Sequence, residues 1–207
     1  MTERQTAVRY VRRGLSAAGL LAGAGTGYLL VVRGAVTLDL GIGRRVRPLD
    51  PVRLSIAAPR EAVFDVIAAP YLGKTPRAMR AKLDVLERGS DMVVAAHFTR
   101  LAARLTATTV ETVRFERPER VAFRLLRGPV PHLVETFELR ETDDGTELEY
   151  TGEIGADLWH LGAWWAGVVA APWERTVEES LVGIQAEAER RARTGRTAAW
   201  RREARRS

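Results

Sequence analysis

The sequence contains no cysteine and only three histidines among its 207 residues. The absence of cysteine excludes disulfide bonds and thiolate chemistry, and so few histidines disfavour a multi-histidine metal site. No nucleophile–base pairing, glycine-rich phosphate loop or metal-ligand spacing occurs along the chain. The isolated GIG of residues 41–43 lacks the strand-and-helix setting of a phosphate site. We therefore expect neither a cofactor nor a bound metal.

The middle of the chain also lacks the positive charge expected of a nucleic-acid-binding domain. The net charge of +6 divides into +5 over residues 1–50, −2 over residues 51–157 and +3 over residues 158–207. A nucleic-acid-binding domain would carry its basic patch on the folded body. Basic ends beside apolar segments favour contact with a membrane surface instead.

Residues 14–32 contain no charged residue. As a helix they would span about 28 Å, close to the hydrocarbon thickness of a bilayer. Arg12 and Arg13 stand before this run and Arg33 follows it. We predict a single transmembrane helix over residues 14–33 in a protein of the cell membrane. Arginines flank both ends about equally, so the positive-inside rule does not choose an orientation.

Two other interpretations of this segment remain open. The basic start and the AGA of residues 22–24 would fit a cleaved signal peptide. A buried helix of a globular protein is also conceivable, although glycine is unfavourable in helices in water. Gly19, Gly23 and Gly27 recur every four residues, a pattern that would allow two such helices to pair as a homodimer in a membrane.

Residues 52–193 have the pattern of one α+β domain, which begins after a linker over residues 34–51. Val52, Leu54 and Ile56 alternate as in a strand, and a helix follows from about Pro59. The segment PYLGKTPRAM, residues 70–79, is interpreted as a short second helix and turn. Six strand-like runs follow, separated by turn sequences. They cover residues 81–88, 91–99, 104–116, 120–127, 132–142 and 145–154.

A long helical pattern closes the domain, from Asp157 as a predicted N-cap to about Arg193. Apolar residues recur at spacings of three and four along it, which predicts one helix lying on a sheet. Pro172 interrupts the pattern and predicts a kink. The stripe consists of Leu158, Gly162, Trp165, Val169, Trp173, Val177, Leu181, Ile184 and Ala188.

The order of elements and the stretch AAPREAVFDVI, residues 57–67, resemble the SRPBCC superfamily of START-related and polyketide-cyclase-like proteins. The resemblance covers roughly residues 52–192. It implies a helix-grip fold, in which a curved antiparallel sheet of about seven strands wraps a long C-terminal helix. It also implies a deep apolar cavity between the two, but not a particular function, because the superfamily contains lipid carriers, cyclases and hydrolytic components.

Strand alternation places three polar residues on the apolar, concave face of the sheet: Glu111, Glu135 and Tyr150. An unpaired buried charge is costly, so either carboxylate could hold a ligand hydroxyl or act in acid–base chemistry. A one-residue bulge could instead turn either one outward, or an arginine could pair with it internally. Tyr150 could equally be an ordinary core residue.

His97 lies on a strand whose inward face the sequence leaves ambiguous. It is therefore either structural or, with Glu135 and Glu111, a third candidate for catalysis. Packing is the simplest role for Trp165, and lining of the cavity is the alternative. The side chains predicted to contact a ligand are Phe123, Leu125, Glu135, Phe137, Tyr150, Trp165 and Val169.

Three functional hypotheses follow. The first is a membrane-anchored binding or carrier domain for a lipid or another hydrophobic small molecule. The second is an enzyme resembling polyketide cyclases or dehydratases, a lyase whose apolar cavity would fold a reactive chain. The third is a scaffold that dimerises in the membrane through its glycine-rich helix.

The C-terminal tail, residues 194–207, contains five arginines, one glutamate and Trp200. It is either a solvated helix end, whose arginines suit the helix dipole, or a second contact with anionic headgroups. We expect the tail to leave the domain. Because anionic lipid is richest on the cytoplasmic leaflet, the second interpretation favours a cytoplasmic domain.

Overall fold

The structure is a computed structural model that describes residues 36–73, 82–102 and 105–203, with a few positions between Thr26 and Arg33. Ten elements follow one another in these residues. They are β1 (Arg45–Pro48), β2 (Val52–Ile56), α1 (Arg60–Leu72), β3 (Leu83–Arg88), β4 (Met92–Ala102), β5 (Leu105–Glu116), β6 (Arg120–Arg127), β7 (His132–Thr142), β8 (Gly145–Ala156) and α2 (Trp159–Glu203).

All eight strands form one antiparallel sheet. Its order is β1-β8-β7-β6-β5-β4-β3, and β2 also pairs with β8. Strands β3 to β8 are consecutive neighbours, as expected for strands joined by short turns. The strand β8 is long enough to pair with β1 through residues 153–156 and with β2 through residues 146–150.

Alternation of side chains explains why one face of this sheet is buried. In β7, Leu133, Glu135, Phe137 and Leu139 are buried, whereas the intervening residues are partly exposed. Two helices cover this face: α2 packs on β8 and on α1, and α1 contacts β6, β7 and β8. The predicted α+β helix-grip architecture is therefore confirmed, with eight strands rather than about seven.

Most of the predicted apolar stripe faces the core. Leu181 and Ala188 are fully buried and Val177 is buried, whereas Leu158, which precedes the helix, is 37% exposed. Pro172 lies inside the helix. The helix does not end near Arg193 but continues to Glu203, so the backbone of the predicted tail is helical over most of its length.

Three local expectations need correction. The linker over residues 34–51 contains the strand β1, because four of its residues pair with β8. Pro70 does not start a second helix: it lies inside α1, which continues to Leu72, and residues 74–81 are outside the described part of the chain. Asp157 does not cap α2, because its carboxylate accepts hydrogen bonds from the backbone of Leu40 and Gly41.

No helix in the described part of the chain is long and apolar enough to cross a membrane. Most of the predicted transmembrane segment, residues 14–33, lies outside that part, as do Gly19 and Gly23 of the predicted pairing motif. The side chain of Trp200 in the predicted tail also lies outside the described residues.

A buried hydroxyl joins the start of α1 to β8. Thr146 is fully buried and donates a hydrogen bond of 2.7 Å from Oγ1 to the carbonyl oxygen of Ala58. We expect Thr146→Val to lower the free energy of unfolding by about 1 kcal/mol, because the carbonyl loses its donor. Chemical unfolding followed by tryptophan fluorescence would measure the change. Thr151→Val, at an exposed position of the same strand, should have little effect; equal losses in both variants would contradict this role.

Candidate functional site

Aromatic rings form a continuous series across the buried face of the sheet. The ring centroids of Tyr71 and Phe123 are 6.0 Å apart, those of Phe123 and Phe137 are 5.4 Å apart, and those of Phe137 and Tyr150 are 5.5 Å apart. Tyr71 comes from α1, and the other three come from neighbouring strands β6, β7 and β8. These rings are buried and lie on the face of the sheet against which the resemblance implied a deep cavity.

A carboxylate lies at one end of this series of rings. Glu135, on β7, is 6% exposed. Its Oε1 accepts hydrogen bonds from the Tyr150 hydroxyl at 2.6 Å and from Trp173 Nε1 on α2 at 2.7 Å. Glu135 therefore connects the sheet to the covering helix. Sequence alternation correctly placed it inward, and no bulge turns it outward.

A histidine and a second carboxylate lie at the other end. Glu111 is 2% exposed, and its Oε2 is 3.2 Å from Nδ1 of His97 on the neighbouring strand β4. The other ring nitrogen of His97, Nε2, is 2.9 Å from the Tyr71 hydroxyl. The structure thus resolves the ambiguity of His97: its side chain points inward and joins Tyr71 to Glu111.

The strand β5 is irregular at Glu111. The pairing of β5 with β6 shifts between Val110 and Glu111, and Thr109, Val110 and Glu111 are all buried. Such a bulge redirects side chains locally. This bulge does not turn Glu111 outward, because Thr109, Val110 and Glu111 are all buried.

The protonation of the two carboxylates differs because their neighbours differ. Burial, together with the negative charge of Glu111, raises the pKa of Glu135 to about 7 despite its two hydrogen bonds. Burial would also raise the pKa of Glu111, but the adjacent His97 outweighs that effect and lowers it. Burial disfavours the His97 cation, whereas the Glu111 carboxylate raises the pKa of His97 above its usual value. The arrangement thus favours the charged forms of His97 and Glu111 beside a carboxyl group whose pKa is near neutrality.

Two oxygens in this cluster form no hydrogen bond of normal geometry with a described residue, although the Thr109 hydroxyl is close enough to Glu111 to help lower the pKa of that carboxyl. They are Oε1 of Glu111 and Oγ1 of Thr109, which is 2% exposed. Buried polar atoms are nearly always hydrogen-bonded. These two oxygens are therefore the atoms best placed to bind a polar group that enters the interior.

The remaining predicted ligand contacts lie around this cluster. Leu125, Trp165 and Val169 are partly buried against the core. Trp165 donates a hydrogen bond of 2.7 Å to the carbonyl oxygen of Pro129, so its indole is fixed to the β6–β7 turn. The described structure places these residues beside the buried cluster but leaves their role in binding a prediction.

Sequence reasoning did not select three residues that complete the cluster: Tyr71, Thr109 and Trp173. Trp173 belonged to the predicted stripe, eight residues after Trp165, but was treated as packing. Tyr71 follows Phe64 by seven residues, a helical spacing that would have placed both on one face of α1. The interpretation of residues 70–79 as a separate helix hid that relation.

A surface depression lies on the opposite face of the sheet. Its walls come from β1, β7 and β8 and include Arg47, Thr136 and Glu153. It is separated from the buried cluster by the sheet itself. No group of three or more potential metal ligands occurs among the described residues.

An antiparallel sheet gripped by a long C-terminal helix, with rings and ionisable groups between them, defines a helix-grip domain of the kind that binds hydrophobic molecules. The chain belongs to the polyketide cyclase / dehydrase and lipid transport family, whose model matches residues 52–189. Among curated proteins, none matches the chain.

Several solved structures have the same fold. The Zhui aromatase/cyclase from Streptomyces sp. R1128 is 22% identical, with a TM-score of 0.56 over 72% of this chain and 95% of that one. TTHA0849 from Thermus thermophilus is 18% identical, with a TM-score of 0.54 over 69% and 97% of the two chains. At these identities the similarity shows the fold alone.

Proposed function

We propose that this chain is a membrane-anchored binding or carrier domain for a lipid or another hydrophobic molecule that carries a hydroxyl group. The observation that supports it most is a pair of buried oxygens, Oε1 of Glu111 and Oγ1 of Thr109, that form no hydrogen bond of normal geometry. Anchorage rests on the uncharged run of residues 14–32, which is long enough to span a bilayer.

The electrostatics of the cluster favour a hydroxyl-bearing ligand. Glu111 is ionised beside His97, so its Oε1 is a strong hydrogen-bond acceptor. A ligand hydroxyl could donate to this oxygen and accept from Thr109. A hydrogen bond to a buried charged group contributes more than one between neutral groups. The surrounding rings would contact the apolar body of the ligand.

Binding also requires movement in the interior. The rings from Tyr71 to Tyr150 are in mutual contact, so a ligand that reaches Glu111 must displace some of them. The partly buried Trp165, Val169 and Trp173 place α2 at the border of this interior. A shift of α2 relative to the sheet would therefore open the site.

The test uses the full chain in nanodiscs of one synthetic phospholipid, so that any other extracted molecule came with the protein. We expect organic extraction and mass spectrometry to find a hydrophobic molecule bound to the wild-type chain. Glu111→Gln should retain severalfold less of it, because the ionised acceptor is lost. Glu153→Gln, on the opposite face of the sheet, should retain the wild-type amount. A chain that carries no such molecule and takes up none from a total lipid extract would refute the proposal.

Catalysis is the second candidate function, and the pKa of Glu135 favours it. A carboxyl group with a pKa of about 7 can act as a general acid or base at neutral pH. Glu135 would exchange the proton, while Glu111 and His97 would hold the substrate polar group. The extracted molecule, returned to the protein, would distinguish the two functions: a dehydratase releases a product lighter by one water molecule, and a carrier releases it unchanged.

A further inference from the structure

Large apolar side chains are exposed where α2 begins and along the segment that precedes β1. Trp164 is 63% exposed and Leu161 is 61% exposed. We refer to the following residues as the apolar shoulder: Leu38, Leu40, Ile42, Trp159, Leu161, Trp164 and Val168. Leu161, Trp164 and Val168 lie at helical spacings of three and four, so they share one face of α2. A contiguous exposed apolar patch of this kind marks an interaction surface.

Hydrogen bonds hold the two parts of the apolar shoulder together. The backbone N–H of Leu158 donates to the carbonyl oxygen of Ile42 at 2.8 Å, and that of Trp159 donates to the carbonyl oxygen of Gly43 at 2.9 Å. The Trp159 ring lies so close to Gly43 that a Cβ at this position would collide with the ring carbons. The segment and the helix therefore form one surface.

The backbone is held in an unfavourable conformation at this surface. Leu158 and Trp159 have positive φ angles of 72° and 50°, a region that residues other than glycine rarely adopt. The buried Asp157 stabilises this turn through Arg44 and through the N–H groups of Leu40 and Gly41. Strained backbone of this kind persists only where surrounding contacts fix it. The exposure of Trp159 is thus maintained by specific contacts.

The charge around the apolar shoulder is suited to a phospholipid surface. From Leu158 to Trp173 the sequence has no acidic residue, and Asp39, the one acidic residue of residues 36–44, is paired with Arg44. Arg45 directly follows residues 36–44, the segment that precedes β1. Arg127 also lies near that segment, because the next residue, Gly128, is hydrogen-bonded to Thr37. Both arginines are exposed, and neither forms an ion pair with another described residue.

The position of the apolar shoulder in the chain also points to a membrane. The uncharged run of residues 14–32 ends just before Arg33, and the described segment begins at Val36. Three residues can span only about 10 Å. If residues 14–33 cross a bilayer, the apolar shoulder must lie close to that bilayer.

We propose that the apolar shoulder inserts into the interfacial region of a phospholipid bilayer and holds the domain against it. The inference rests on the proposed anchorage by residues 14–33. Tryptophan prefers the headgroup level of a membrane, and neighbouring aliphatic side chains reach the acyl boundary. Trp159 and Trp164 occupy that level, with Leu161 and Val168 directed into the lipid and Arg45 and Arg127 beside the phosphates. Because α2 also borders the buried cluster, this contact places the ligand site next to the membrane.

The lack of native cysteine allows a direct test with single nitroxide labels. Leu161→Cys and Trp164→Cys place labels on the apolar shoulder of the full chain in vesicles of phosphatidylcholine and phosphatidylglycerol. Val182→Cys, at a 61% exposed position about 32 Å further along the same helix, is the matched control. We expect the labels at 161 and 164 to collide with oxygen and to be severalfold less accessible to a water-soluble nickel chelate than the label at 182. Exposed substitutions of this kind should leave the fold intact.

Each alternative result overturns the proposal in a distinct way. Equal access of the nickel chelate to all three positions, in a chain that sediments with vesicles, would refute the lipid contact but not the anchorage. A chain that does not sediment with vesicles would refute both. Labels at 161 and 164 shielded from both reagents would mean that protein covers the apolar shoulder. Spin–spin broadening would then identify a second copy, and its absence would identify the segment of residues 14–32.

Discussion

Replacing Glu135 with glutamine is expected to remove a large part of the pH dependence of stability. The pKa of the Glu135 carboxyl is about 7 in the folded protein and near the ordinary 4.5 in the unfolded chain. The folded state therefore binds this proton more tightly than the unfolded state does. The resulting stabilisation of the folded state is complete below pH 4.5 and is lost as the pH rises through 7. The difference amounts to about 3 kcal/mol, at about 1.4 kcal/mol per pH unit. Unfolding in urea at several values between pH 4.5 and 8 would measure it.

Other ionisable groups face Glu135, so the comparison must isolate its contribution. Glu111, His97, Tyr71 and Tyr150 are coupled to it electrostatically. His97 also has a raised pKa, so it adds to the loss of stability with rising pH in both proteins. Glutamine keeps the Oε1 acceptor for Tyr150 and Trp173, and the difference between the two curves therefore reports the proton on residue 135. Parallel curves from pH 4.5 to 8 would show that Glu135 does not bind a proton near neutrality.

The sequence predicted the strands best where buried and exposed residues alternate strictly. In β7, for example, every second residue is buried, and the predicted residues 132–142 are those of the strand. The strand β1 was missed because Arg45–Pro48 has no such alternation: only Arg47 is half-buried, and Val46 is exposed. β1 pairs with the sheet because β8 is long enough to reach it. The four residues of β1 carry no sign of that length.

The polar candidates were also found by alternation, but their interactions were not. Glu111, Glu135 and Tyr150 could be placed inward from strand parity alone. The hydrogen bonds of Glu135 to Trp173 and of His97 to Tyr71 join the sheet to two separate helices. Those contacts depend on how α1 and α2 pack on the sheet, so no local pattern in the sequence predicts them. The same applies to Asp157, which a helix-start pattern predicted as a cap.

The most damaging change outside the cluster is expected to be Asp157→Ala. Asp157 is 6% exposed, and its carboxylate is 2.7 Å from Arg44 Nε, 2.6 Å from the N–H of Leu40 and 2.8 Å from that of Gly41. The guanidinium of Arg44, with these two N–H groups, lowers the pKa of Asp157 to about 2. Removing the carboxylate leaves three donors without their acceptor at once. We expect the free energy of unfolding to fall by about 3 kcal/mol, as measured in urea at pH 7.

Asp39→Ala is the matched control, because Asp39 binds the same Arg44 from an exposed position. Its side chain is 61% exposed, so its loss should cost less than about 1 kcal/mol. The contribution of Asp157 should persist at neutral pH and disappear as the pH falls from about 4 towards 2, because the folded protein favours the ionised carboxylate. Hydrogen exchange should show faster exchange at the amides of Leu40 and Gly41 in Asp157→Ala, since these lose their acceptor, and unchanged exchange in Asp39→Ala. If the two variants were equally stable, the turn that exposes Trp159 would have to be held by the backbone hydrogen bonds of residues 158 and 159 alone.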